Sequence, residues 1–268
     1  MWCQNPESIH PYREIGFYET ICMYRGRCAV VCERRAIFTG SPGRIDRETC
    51  NGCGRCVEAC PSNALKSVGT YYDEETLFAE VLKDRPFFES SSGGVTFSGG
   101  EPTLQHRFLK GFVQRCRSAH IHTVMETCGY FNFAVVKDAL SGIDMFLYDL
   151  KAIDAGLHTR YTGRGNGVII QNLERLRSAG ANVVIRMPLV PGYSDSPENI
   201  NAVMDVLNRL GVRTIHLLPY HPMGESKIKP IASSQPYLGL PVLSESKLEE
   251  VAATFRKAGI DTVLSGWM

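Results

Sequence analysis

An α/β chain is predicted: a partial, open β/α barrel carrying a small inserted α+β domain near its start. Three observations predict it. From about residue 69, strand-length hydrophobic runs alternate with helix-length amphipathic runs, which implies a parallel sheet. Polar residues collect just after the strand runs, where parallel β/α folds place their ligands. The third is the cysteine distribution: Cys3, Cys22, Cys28, Cys32, Cys50, Cys53, Cys56 and Cys60 crowd the first 60 residues, leaving only Cys116 and Cys128 beyond them. A length of 268 residues accommodates one large domain plus a small insertion. Hydrophobic content of 44% and charged content of 21% fit a packed core. The net charge of +1 and the lack of a basic run argue against a nucleic-acid surface. No apolar stretch approaches a membrane span, and the first ten residues carry no secretory signal pattern. Clustered cysteines then point to metal ligation in a reducing cytoplasm, not to secreted disulfides.

The cysteine segment is the first element to justify. Residues 50–61 read CNGCGRCVEACP, the C-x2-C-x2-C-x3-C-P spacing that grips iron–sulfur clusters in bacterial ferredoxins. A zinc site would use two separated cysteine pairs instead. In such a run the fourth cysteine usually serves the other cluster of a pair, so a partner set is required. Residues 22–37 supply it: CMYRGRCAVVCERRAI aligns without gaps at a constant offset of 28. Crossed ligation assigns Cys32, Cys50, Cys53 and Cys56 to one complete [4Fe–4S] cluster. The second site has Cys22, Cys28 and Cys60, with Arg25 opposite Cys53. Arginine offers no lone pair to a metal. A three-iron cluster, a non-cysteine ligand and an empty site all stay open there. Exposed clusters of this kind imply an anaerobic setting.

The α/β alternation follows. Residues 73–84 put Leu77, Phe78, Val81 and Leu82 on one helical face, with Pro86 as the stop. Residues 94–98 form a short buried strand. Residues 105–119, 169–179, 197–210 and 244–258 are helical, and 123–126, 145–149, 183–187 and 214–218 are strands. Polar groups follow these five strands at Ser98–Glu101, Glu126–Gly129, Asp149–Lys151, Pro188–Gly192 and Tyr220–His221. Five is short of a closed eight-stranded barrel, hence the open one. On position alone, Lys151 and Arg186 serve equally well as salt-bridge partners, and His221 as a core histidine. His158 is expected to be an exposed helix residue, Cys116 structural, and Cys128 a small packing residue.

Together, Trp2-Cys3-Gln4-Asn5-Pro6-Glu7-Ser8, the cysteine repeat, VTFSGGEP, METCG, YDLK, IRMPLVPG and LPYHPMGESK resemble the glycyl-radical-enzyme activating enzymes. These are radical S-adenosylmethionine (SAM) proteins, and the likeness is to the subgroup with a ferredoxin-like insertion. The resemblance divides the chain into 1–17, a remnant of the main barrel with the last cluster cysteine, 18–68, the insertion, and 69–268, the partial barrel. It implies that Gly99, Gly100 and Glu101 hold the methionine amino group of SAM. It further implies that Asp149, Leu150, Lys151, Arg186 and His221 hold the ribose and methionine ends, and that Trp2 and Gln4 line the adenine. Glu126, Thr127 and Asp149 match a monovalent-cation position. The cofactors implied are SAM and [4Fe–4S] clusters. The partners implied are the glycine loop of a glycyl radical enzyme and a low-potential donor such as flavodoxin or ferredoxin.

One departure stands out. The family's SAM-binding cluster uses C-x3-C-x2-C, of which only Cys3 is matched here. The first barrel strand is expected to be missing with the other two cysteines, through N-terminal truncation. The 268-residue chain is then expected not to cleave SAM unless the upstream region is restored. Two rival readings remain open at this point. One is radical SAM chemistry on a small molecule or another peptide; the other is a non-catalytic iron–sulfur protein.

Overall fold

A computed structural model of the chain describes residues 1–39 and 44–264. The fold divides into two compact units, one made of 1–72 with 222–239, the other of 73–221 with Leu240 onward. In the first unit, strands β1 (Glu14–Phe17) and β2 (Leu65–Val68) pair antiparallel, Glu14 opposite Val68 and Phe17 opposite Leu65. Between them lie two matching four-residue helices, α1 (Arg27–Val30) and α2 (Arg55–Glu58). Each starts from a left-handed glycine, Gly26 at φ 72° and Gly54 at φ 88°, a conformation that costs glycine little. The same step of each helix buries a cysteine, Cys28 and Cys56. The sequence repeat is thus a structural repeat. Ile15, Phe17, Ile37, Ile45 and Leu65 form the core beneath it.

The second unit opens with α3 (Glu74–Leu82) and α4 (Arg85–Ser91). Asp73 caps α3 by accepting from the Thr76 N–H at 2.7 Å. Pro86 does not stop α3; it sits in the first turn of α4, where its missing N–H is no loss. The alternation then runs β3 (Gly94–Phe97), α5 (His106–Ser118), β4 (His122–Thr127), α6 (Phe133–Leu140), β5 (Met145–Asp149), α7 (Ala155–Thr162), α8 (Gly167–Ser178), β6 (Val183–Leu189), α9 (Pro197–Arg209) and β7 (Thr214–Pro219). A 3-10 turn at Pro222–Lys227 and α10 (Ile228–Ile231) belong to the first unit. The chain returns with α11 (Glu245–Lys257) and β8 (Asp261–Leu264).

Strands β3 to β8 form one parallel sheet in chain order, the arrangement of a partial β/α barrel. Among the described residues this sheet has six strands, not five: β8 is too short and too exposed to stand out as a hydrophobic run. β3 is not buried as expected, because it pairs with β4 alone. Alternation sorts each strand's side chains between two faces. Met125, Phe146, Tyr148, Ile185, Met187, Ile215 and Leu217 pack with Val113, Val136, Leu173, Val203, Leu207 and Phe255 of the helices. The opposite parity leaves Glu126, Asp149, Arg186 and His216 on the face away from the helices.

Candidate functional site

In the first unit, Cys32, Cys50, Cys53 and Cys56 line one cavity of about 80 Å³, with Ile15, Ala36, Ile37 and Ile45 as apolar walls. This is the set that crossed ligation requires. Burial first, and the neighbouring Cys50, Cys53 and Cys32 next, push the Cys56 thiol up to about 11. Four sulfurs crowded into a partly buried site resist ionising together, whereas a bound metal deprotonates its thiols outright. The donor set therefore fits a [4Fe–4S] cluster. Backbone N–H groups already point at the sulfurs: Gly52 donates to Cys50 Sγ at 3.5 Å and Ala36 to Cys32 Sγ at 3.3 Å.

Cys22, Cys28 and Cys60 are placed differently. Arg44 donates to Cys22 Sγ at 3.3 Å and to Cys28 Sγ at 3.5 Å. Burial pushes the Cys60 thiol up, but donors on Leu65, Ser62 and Ala64 outweigh it and hold the thiol below its ordinary value. Arg25 is exposed.

The same unit joins the N-terminal segment to 222–239. Gln4 Oε1 accepts from the Gly224 N–H at 3.2 Å, and Gln235 donates to the Cys3 carbonyl at 3.1 Å. Lys227 reaches Asn5 and Glu7, each at 2.7 Å. A side chain on Gly224 would meet Gln4 Cα at 2.8 Å, so that close approach needs glycine. Trp2 is buried and Cys3 exposed. Cys3 matches one of the three thiolates of the SAM-binding cluster that the resemblance implies.

In the second unit, Glu101 follows the left-handed Gly99 (φ 119°) after β3. Its carboxylate is an acceptor for a ring of donors. Oε1 takes the Thr103 N–H at 3.3 Å and the Thr103 hydroxyl at 2.8 Å. Oε2 takes the Thr127 hydroxyl at 2.8 Å, the Cys128 N–H at 3.0 Å and the Cys128 thiol at 3.2 Å. Cys128 is therefore more than a packing residue. Burial first, and the Glu101 charge next, push its thiol up to about 12, so it stays a donor. The loop it starts is pinned from below. Asn172 donates to the carbonyls of Gly129 at 2.9 Å and Phe131 at 2.8 Å, and Tyr148 donates to the Ile169 carbonyl at 2.6 Å. Gly129 (φ 75°) is needed there, since a Cβ would lie 1.8 Å from the Tyr148 hydroxyl.

One strand row further, Asp149 stands beside Arg186, and Arg186 beside His216. Arg186 reaches from β6 over β5 to β4, with Nε 2.8 Å from Asp149 Oδ1 and Nη1 2.6 Å from Glu126 Oε1. The guanidinium thus sits between two of the three groups expected to hold a cation, and Thr127 turns to Glu101 instead. Leu150 is buried. Lys151 is half-buried and has no carboxylate partner among the described residues; Asn199 donates to its carbonyl at 3.1 Å. Gly100 is exposed in the turn, and His221 is half-buried just past β7.

Cys116 is fully buried among Phe112 and Ile121, as expected of a structural thiol. His158 is not exposed. The Asp154 cap starts α7 by accepting from Leu157 at 2.7 Å, and the helix turns His158 and Tyr161 inward. His158 is 4% exposed, with Nδ1 2.7 Å from the Arg164 carbonyl. Burial lowers its proton affinity below the ordinary value. The unfolded chain therefore binds a proton that the folded chain refuses. The associated stability is complete above about pH 6.5 and is lost as pH falls below it. Urea midpoints should drop between pH 7 and pH 5, and His158→Gln should flatten that drop; an unchanged slope in the variant would exclude His158 as its source.

Known proteins bear on this geometry. The Radical SAM superfamily profile matches residues 49–204. The trans-4-hydroxy-L-proline dehydratase activating enzyme of Clostridioides difficile is 35% identical over 270 residues, covering 99% of this chain and 89% of the relative. The choline trimethylamine-lyase activating enzyme of Oleidesulfovibrio alaskensis is 37% identical over 264 residues, covering 96% and 85%. Among solved structures, a domain of the pyruvate-formate lyase-activating enzyme from Bacteroides vulgatus superposes with a TM-score of 0.55 at 27% identity, over 65% of this chain and 99% of that domain.

Proposed function

The chain belongs to the radical SAM superfamily and, within it, to the activating enzymes of glycyl radical enzymes, and on that premise we propose residue roles for the activation of a partner enzyme. The reaction is a one-electron reductive cleavage of SAM to methionine and a 5′-deoxyadenosyl radical. The radical takes a hydrogen atom from a backbone glycine of the partner, leaving 5′-deoxyadenosine and a glycyl radical. Such chemistry belongs to the cofactor; the protein binds, orients and excludes water. Glu101, already fixed by its donors, accepts from the methionine ammonium, with Gly99 and Gly100 letting the backbone approach. Lys151, free of a carboxylate partner among the described residues, attracts the carboxylate end. Asp149, Leu150, Arg186 and His221 shape the ribose and methionine subsites. Cys32, Cys50, Cys53 and Cys56 would hold a [4Fe–4S] cluster, which supplies one-electron transfer when bound. A low-potential flavodoxin or ferredoxin in the cytoplasm is the donor, consistent with the lack of a membrane-spanning helix among the described residues.

One observation carries this reading: a Gly-Gly-Glu turn at a strand end of a parallel sheet shares a chain with a four-cysteine cavity. Each is common alone. The test is anaerobic incubation of the reduced holoenzyme, carrying all three cysteines of the SAM-binding cluster, with SAM and a candidate glycyl radical enzyme. The expected result is a glycyl radical signal by electron paramagnetic resonance together with 5′-deoxyadenosine. SAM cleavage with no protein radical would overturn the assigned target.

A further inference from the structure

The first half of the cysteine repeat keeps the ferredoxin backbone without the ferredoxin ligands. The Tyr24 N–H donates to Cys22 Sγ at 3.4 Å, as the Gly52 N–H does to Cys50 Sγ at 3.5 Å. Tyr24 even adopts the left-handed conformation (φ 53°) that Gly52 takes at the matching position (φ 66°). Yet Arg25 stands where Cys53 stands in the other half, and it is exposed. Three sulfurs remain, and a different cation already lies against two of them.

That cation is Arg44, which is 3% exposed. Its fork spans the pair, Nη1 to Cys22 Sγ at 3.3 Å and Nη2 to Cys28 Sγ at 3.5 Å. Aromatic rings flank the guanidinium, Tyr24 at 5.4 Å and Phe17 at 5.6 Å, distances at which a ring face attracts a cation. The backbone accommodates a positive φ of 31° to bring it there. The Arg44 carbonyl is held by the Phe38 N–H at 2.9 Å, beside the Ile37–Ile45 bridge. A guanidinium cannot shed its proton, and a buried one is costly unless paired. The pairing observed is with sulfur lone pairs that iron would otherwise use. In the complete half, no sulfur accepts from a guanidinium among the described residues, and all four thiols line the shared cavity.

We infer that Arg44 takes the place of a metal cluster in the first half of the repeat, so that this domain carries one cluster, on Cys32, Cys50, Cys53 and Cys56. The inference goes beyond the activase reading and does not rest on it, since it concerns iron content and not the fate of the electron. Anaerobic reconstitution of the whole protein, followed by iron and acid-labile sulfide assays, tests it. The double variant Cys22→Ser, Cys28→Ser is expected to keep the wild-type iron content, whereas Cys53→Ser is expected to lose about four irons per chain. Loss of about three or more irons from the Cys22, Cys28 double variant, with its circular dichroism unchanged, overturns the inference. A second variant tests Arg44 itself. Arg25→Cys combined with Arg44→Ala restores the fourth thiolate and removes the guanidinium, and should gain about four irons over the wild type. No gain in a folded protein overturns the role given to Arg44.

Discussion

Arg186→Ala is expected to destabilise the protein by about 3 kcal/mol, the lower end of what removing one partner of a buried charge network costs. Arg186 is 15% exposed, and its two carboxylate partners are more open, which is why the lower end applies. Burial alone would loosen the guanidinium's proton, but Asp149 and Glu126 outweigh burial and hold it more tightly than usual. Without it, two carboxylates face each other across β4 and β5 with no cation between them. Arg186→Lys keeps the charge but not the fork, so it should recover only part of the loss. Urea midpoints measure both variants, and a change below about 0.5 kcal/mol in Arg186→Ala, the level of an ordinary surface substitution, would refute the role. A second readout is local. His216 loses proton affinity through burial first and the Arg186 charge next, so in Arg186→Ala its titration should move up toward the ordinary histidine value.

Which parts of this were legible in the sequence follows from range. Helix α5 and strand β6 repeat their apolar residues at the periods of their own geometry, so they declare themselves within a dozen residues. The four-thiol cavity was legible for another reason: the spacing of Cys50, Cys53 and Cys56 is itself the ligand geometry, and the repeat supplies Cys32. Strand β8 was not, because an edge strand of four mostly exposed residues carries no alternation. His158 misled because a polar residue in a polar helix looks solvated, while the Asp154 cap turns it inward and the Arg164 carbonyl, in the loop just past the helix, partners its ring. Arg44 gave no signal at all. It lies outside both copies of the cysteine repeat, and only the bridge between Ile37 and Ile45 brings it to Cys22 and Cys28. The joining of 222–239 to the first 72 residues is likewise a long-range event. Its contacts, Gly224 to Gln4 and Lys227 to Glu7, depend on no local pattern.

Glu101→Gln is expected to weaken SAM binding by about 2 kcal/mol, roughly thirty-fold, the worth of one charge-assisted hydrogen bond to an ammonium. The substitution preserves shape and removes charge, but it does more than that. A carboxylate only accepts, and here five partners donate: the Thr103 N–H and hydroxyl, the Thr127 hydroxyl, and the Cys128 N–H and thiol. An amide has one accepting atom and one donating atom. Placing its NH₂ at Oε1 opposes the Thr103 N–H; placing it at Oε2 opposes the Cys128 N–H. Neither backbone donor can turn away, so one is left unsatisfied in either orientation. A fall in fold stability of about 1–2 kcal/mol should therefore accompany the binding loss. Cys128→Ala separates the two effects. It deletes a single thiol donor and leaves the carboxylate charged, so its affinity for SAM should stay within about three-fold of wild type, a change of under 1 kcal/mol. Equilibrium binding of SAM to the reconstituted holoenzyme, with urea melts on the same samples, decides the matter. Wild-type affinity in a stable Glu101→Gln protein would mean that the ring of donors orders the strand-end loop and that the ammonium binds elsewhere.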